Sequence, residues 1–150
     1  MTTPYVTVEE AVEYLGHRLG GKDWLNADDD SKEQSLIMAT QNIDNTQFIG
    51  QYAVEDQEHA FPRMIWSNAA GAYVTQTDVP QSVKDACCEE ALFLIKYANN
   101  ERITLQALGV TRASREGVAE EYVKVERTVL SPQARAFLRK YMVGGVPIRR

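Results

Sequence analysis

Pro80-Gln81-Ser82-Val83-Lys84-Asp85-Ala86-Cys87-Cys88-Glu89-Glu90-Ala91-Leu92-Phe93-Leu94-Ile95-Lys96-Tyr97-Ala98-Asn99 is the stretch on which the fold turns. Proline is pre-organised for a helix start, and Val83, Ala86, Cys87, Ala91, Leu94, Ile95 and Ala98 then recur at helical spacing. Leu92, Phe93 and Tyr97 widen that stripe beyond what a surface helix needs, so a helix over 81–99 is expected to be central and contacted on several sides. Cys87 and Cys88 are adjacent, and neighbouring helical positions do not face each other, which makes a poor disulfide or chelate. One is expected in the core and the other on its flank, with no disulfide scaffold and no structural zinc.

Upstream, Thr7-Val8-Glu9-Glu10 reads as a capping box, followed by Val8, Ala11, Val12, Leu15 and Leu19 at helical spacing and a stop at Gly20-Gly21. Asp29-Asp30-Ser31 starts a second helix with Leu36, Ile37, Ala39, Thr40 and Ile43 inward, and Trp24 and Leu25 pack across its start. From Thr46 to Asp78 the helical period vanishes. Gly50, Pro62, Gly71 and Pro80 mark a long irregular connection, expected to be pinned by Phe48, Tyr52, Phe61, Trp66 and Tyr73. Downstream, the short alternation of Val118–Val125 predicts a hairpin or extended arm around 109–125. Ser131-Pro132 then starts a closing helix with Ala134, Phe137, Leu138 and Tyr141 inward, and Gly144-Gly145 releases an extended tail, about 143–150. The expected architecture is all-α: a single domain over 1–150, a small bundle of about four helices with an inserted arm and an extended C-terminal tail.

Bulk composition excludes several classes. With 44% hydrophobic and 25% charged residues, the 150-residue chain sits in the ordinary globular range. No apolar run approaches a membrane span, and Met1-Thr2-Thr3-Pro4 lacks the basic start and apolar stretch of a signal peptide, so a chain made in a cytoplasm is expected. Charge is unevenly placed. Residues 1–126 hold 10 bases against 21 acids, whereas residues 127–150 hold six bases and no acid. A basic end of this kind addresses an acidic partner, nucleic acid or protein.

No catalytic constellation emerges. His17 falls on a surface helix and His59 in the irregular connection, neither within a nucleophile motif. Gly20-Gly21 is not preceded by a strand, so it is no phosphate loop. Asn26-Ala27-Asp28-Asp29-Asp30 resembles a calcium loop, but that register puts Ser31 at the glycine position and Ile37 at the bidentate glutamate position. The expectation is a chain without catalytic activity, cofactor or metal.

The series Leu36, Ala39-Thr40, Ile43-Asp44, Phe48, Gly50, Gln57, Pro62-Arg63 and Val79-Pro80, then Leu108-Gly109-Val110, Ser114, Gly117, Val118 and Tyr122, resembles the head–tail adaptor, or head-completion, proteins of long-tailed bacteriophages. The resemblance covers roughly residues 5–150. It implies a virion structural protein in the neck: a homo-oligomeric ring, commonly of twelve copies, under the portal protein. The ring would receive the next neck, stopper or tail-completion protein, and genomic double-stranded DNA would pass through without specific binding. It also implies portal contacts through Val146, Pro147, Ile148, Arg149 and Arg150, and arm contacts between subunits through Thr111, Arg112, Arg115, Gly117 and Tyr122. Pro62 and Arg63 read as a loop anchor or a subunit contact. Some relatives carry the label of a single-stranded-DNA-binding replication protein. That is the alternative, with Arg135, Arg139 and Lys140 as its phosphate contacts.

Overall fold

Helix starts follow local chemistry. Thr7 accepts from the Glu10 amide while Glu10 reaches back to the Thr7 amide, and this capping box opens α1 (Val8–Gly16). Asp28 accepts from the Ser31 amide to open α3 (Asp29–Asp44), after the single turn α2 (Lys22–Leu25). The computed structural model describes residues 2–97, 112–115, 118–121 and 130–144. Further along lie β1 (Gln51–Tyr52), β2 (Arg63–Ser67), β3 (Ala72–Thr75), α4 (Gln81–Tyr97), β4 (Arg112–Arg115) and β5 (Val118–Glu121). The described part closes with α5 (Pro132–Leu138), capped by Ser131, and a 3-10 turn over Arg139–Tyr141.

α4 is the hub, packing against α3, α5, α2 and α1. Cys87 and Cys88 are both buried, so the expected core-plus-flank split does not hold; burial pushes the Cys87 thiol up to about 12, and Cys88 further. Trp24 is fully buried and donates through Nε1 to Ser35 Oγ at 2.9 Å, which fixes α2 across the start of α3. Two acids also lie inside. Glu89 accepts from Tyr14 Oη at 2.9 Å and Arg18 Nε at 2.7 Å, holding α1 to α4. Glu90 accepts from Asn42 Nδ2 at 3.0 Å and from the Ser131 amide at 2.7 Å, so one carboxylate ties α3, α4 and the start of α5. Buried carboxylates persist only when supplied with donors in this way.

The all-α expectation is corrected: about half of the described residues are helical, and β1, β2 and β3 form an antiparallel sheet in that order. β2 pairs with β1 through Gln51↔Met64 and Tyr52↔Arg63, and with β3 from Met64↔Thr75 to Ser67↔Ala72. The hairpin turn passes through Gly71 at φ 62°, where a side chain would be strained. Sequence periodicity missed this sheet because β3 is exposed throughout and β2 mostly half-buried, so there is no buried-versus-exposed alternation to read. α1 also ends at Gly16, leaving Leu19 94% exposed and outside the expected stripe. β4 and β5 pair from Arg112↔Glu121 to Arg115↔Val118, within the expected arm. Of the expected tail over 143–150, residues 145–150 lie outside the described residues.

Replacing Glu90 by Ala leaves the Ser131 amide and Asn42 without their acceptor. It should lower unfolding free energy by about 2 kcal/mol, the scale for hydrogen bonds to a charged group. Urea titration should show the midpoint falling with an unchanged slope.

Candidate functional site

Arg63 opens β2 and is buried. Its Nε donates to Ile49 O at 2.8 Å and its Nη1 to Ala60 O at 3.0 Å. Its Nη2 donates to Phe48 O at 3.3 Å and Gly50 O at 3.0 Å. Four carbonyl dipoles thus surround one guanidinium, a geometry suited to its fixed fork of donors. Tyr52 covers it from the side, with the guanidinium carbon 5.5 Å from the ring centroid. Gly50 must be glycine here: its φ is 78°, and an added Cβ would collide with Met64 O. Pro62 follows a cis peptide bond, and its carbonyl accepts from Gln57 Nε2 at 2.9 Å and the Ala53 amide at 3.3 Å. These contacts hold the loop between Phe48 and Arg63 together.

A second cluster fastens the same loop to the helices. Asp44 at the end of α3 accepts from the Tyr5 hydroxyl and the Ala60 amide through Oδ1, and its Oδ2 lies 2.8 Å from His59 Nδ1. Burial, then the hydrogen bond to Asp44, push the Tyr5 hydroxyl above its ordinary range, so Tyr5 stays a donor. His59 lies with its ring centroid 4.9 Å from that of Tyr5. These contacts make His59 a packing residue of the loop, tied to the core from two sides.

From this anchor the β2–β3 hairpin carries aromatic rings outward. Trp66 stands opposite Tyr73, with ring centroids 5.2 Å apart at 79°. The two remain 52% and 58% exposed, and Tyr52 55%. Trp66 Nε1 donates to Asn68 Oδ1 at 3.0 Å, which orients the indole. Directly paired residues share a face, so Gln51, Met64, Thr75, Trp66 and Tyr73 lie on one side, and Tyr52, Arg63, Ile65 and Val74 on the other. Residues 64–77 contain no charged side chain, in a chain of net charge −5.

A basic turn is tied to the strand anchor. The Ile49 amide donates to Tyr141 O at 2.8 Å, while the Ile49 carbonyl accepts from Arg63. One residue thereby joins the turn over Arg139–Tyr141 to the strand anchor. A bridge between Phe48 and Met142 reinforces the junction, and the Tyr141 ring meets Phe61 edge-on at 5.2 Å. Arg139 and Lys140 are exposed, and Lys140 Nζ lies 5.0 Å from the Tyr141 ring centroid. Exposed rings on an uncharged ribbon can stack planar groups, and exposed cations such as Arg139 and Lys140 attract anions.

Trp66 and Tyr73 were missed as site residues; like Tyr52 they were expected to pin the connection, whereas Phe48 and Phe61 alone of the five aromatics are buried. The signal was there: Met64–Ser67 and Ala72–Thr75, rich in aromatic and β-branched residues, flank a turn of Asn, Ala and Gly. Arg112 opens β4 and Arg115 ends it, while Thr111, Gly117, Tyr122, Val146, Pro147, Ile148, Arg149 and Arg150 lie outside the described residues. Among the described residues no cluster of His, Cys, Asp or Glu is arranged to hold a metal ion, and no helix is long and apolar enough to cross a membrane.

Replacing Arg63 by Lys retains the charge and loses the fork, leaving several of the four carbonyls without a donor. Stability should fall by at least about 2 kcal/mol, with faster amide exchange in residues 48–76 than in α4, as read by hydrogen-exchange mass spectrometry.

Comparison with curated proteins and with solved structures gives no match. A family model described as "Putative DnaT-like ssDNA binding protein" matches residues 3–149. This overturns the resemblance to head–tail adaptors, and with it the portal-bound ring, its neck partners and passive passage of double-stranded DNA. The pieces that carried that resemblance have general structural causes: Val79-Pro80 leads into a helix, and Pro62-Arg63 anchors a loop. With nearly its whole length matched, the chain belongs to the family of DnaT-like ssDNA binding proteins.

Proposed function

We propose that this chain binds single-stranded DNA as a replication accessory protein. In this reading Trp66 and Tyr73 form the base-stacking platform, and Arg139 and Lys140 contact phosphate. The observation that carries it is the exposed, edge-to-face Trp66–Tyr73 pair on a ribbon without charge. Family membership supports the same reading. Stacking on aromatic side chains is tolerant of sequence, because every base has a π-face. The acidic remainder of the molecule confines phosphate contact to the basic C-terminal part, since residues 1–126 carry a net charge of −11. The role is one of binding, without a catalytic step.

The chain has two tryptophans, Trp24 buried and Trp66 exposed. Titration with a labelled oligonucleotide at low salt should therefore quench Trp66 emission and raise polarisation together. Trp66→Ala should weaken binding by about 1–3 kcal/mol, the range for one stacked base. Arg139→Ala and Lys140→Ala should each flatten the salt dependence by about 0.7 in the log–log slope, the value for one phosphate on a single strand. Absence of any polarisation change at low salt would remove the reading.

A further inference from the structure

Among the described residues, the β2–β3 hairpin leaves one edge of its sheet open. Order β1-β2-β3 makes β3 the outer strand, and among the described residues no strand pairs with its free side. The Gln76 amide donates inward to Arg63 O at 2.9 Å. Because strand donors alternate, the N–H and C=O groups of Tyr73 and Thr75 point away from β2. Natural edges are blunted by charge, proline or a bulge. Residues 72–75 have neither charge nor proline, and they pair with β2 one-for-one, without a bulge.

We infer that this edge pairs with the same edge of a second copy, antiparallel about a two-fold axis at Val74. The occupant follows from charge and register. The chain is acidic at −5, and residues 64–77 form an uncharged stretch on which two copies can meet without like charges facing each other. With Val74 opposite its own counterpart, the outward groups of Tyr73 meet those of Thr75 in the second copy, and reciprocally. All four outward N–H groups and all four carbonyls then find partners. The faces also agree: directly opposed residues share a side, so the two Trp66–Tyr73 pairs fall on one surface, a continuous platform of four rings. Such a contact is isologous and closes after two copies.

A four-residue strand is far smaller than the roughly 1,200 Å² of a stable interface, so the pair is weak by itself. A strand of DNA crossing both platforms holds the two copies at high effective concentration and makes binding cooperative. This last step rests on the proposed single-stranded-DNA reading; the pairing itself does not.

Two variants test it. Val74 is half-exposed and lies on the face away from Trp66. In the paired form its position is a close, non-hydrogen-bonded one, with Cα atoms about 4.5 Å apart. Val74→Cys should cross-link to a disulfide dimer under mild oxidation without DNA, several-fold faster than Thr77→Cys, an exposed control beyond the strand. Native Cys87 and Cys88 are buried and give no background. Val74→Lys places two cations across the axis. It should keep affinity for an oligonucleotide that fills one platform and lose cooperativity on one long enough for two. Cross-linking of Val74→Cys no faster than the control, or undiminished cooperativity in Val74→Lys, overturns the inference. Fast cross-linking in a chain that binds no oligonucleotide supports the pairing and overturns the DNA reading alone.

Discussion

The arrangement of the exposed surface depends on one buried guanidinium. Arg63 collects carbonyls from Phe48, Ile49, Gly50 and Ala60, groups that would otherwise be buried or half-buried without a shared donor. Through Ile49 it reaches the basic turn, and through its own backbone it sets Gln76 and the register of β3. A lysine has three donors on a flexible stem and no planar fork, so the same junction could not be made with a point charge. The strand segment most exposed to solvent is thus anchored at its most buried residue.

The helical body is organised by a comparable device. Glu89 and Glu90 are consecutive and both buried, and they reach in different directions from α4. Glu89 collects donors from α1 and the turn that follows it, and Glu90 from α3 and the cap of α5. Apolar packing alone accepts many sliding registers between helices, whereas carboxylates with directional donors accept few. The apolar contacts supply most of the burial, and the acids select which helix sits where.

The same sequence read by resemblance led to a phage neck ring, and the family match led elsewhere. The physical lesson lies in Pro62-Arg63 and Val79-Pro80. Such pairs answer local needs, a loop that requires a planar donor fork or a helix that requires a fixed φ, and those needs recur in unrelated folds. Tyr52, Trp66 and Tyr73 taught the converse. Aromatic residues in an irregular stretch were expected to hold it down, yet three of the five face solvent while Phe48, Phe61 and Arg63 do the holding.

By itself the sequence determined the helix starts at Thr7 and Ser131, because those caps act within three residues of where they sit, and it marked the start of α3 by Asp29-Asp30-Ser31, where the cap is the preceding Asp28. It also determined that α4 is central, since its apolar residues wrap more than one face, and that positive charge gathers toward the C-terminal end. Composition hinted at the β2–β3 hairpin, but only the tertiary structure decided that β1, β2 and β3 form one sheet, because pairing is a contact between segments and no buried face marked it along the chain. Only there does Arg63 become an anchor and Trp66 an exposed ring: whether a side chain is inside or outside depends on what the rest of the chain places around it.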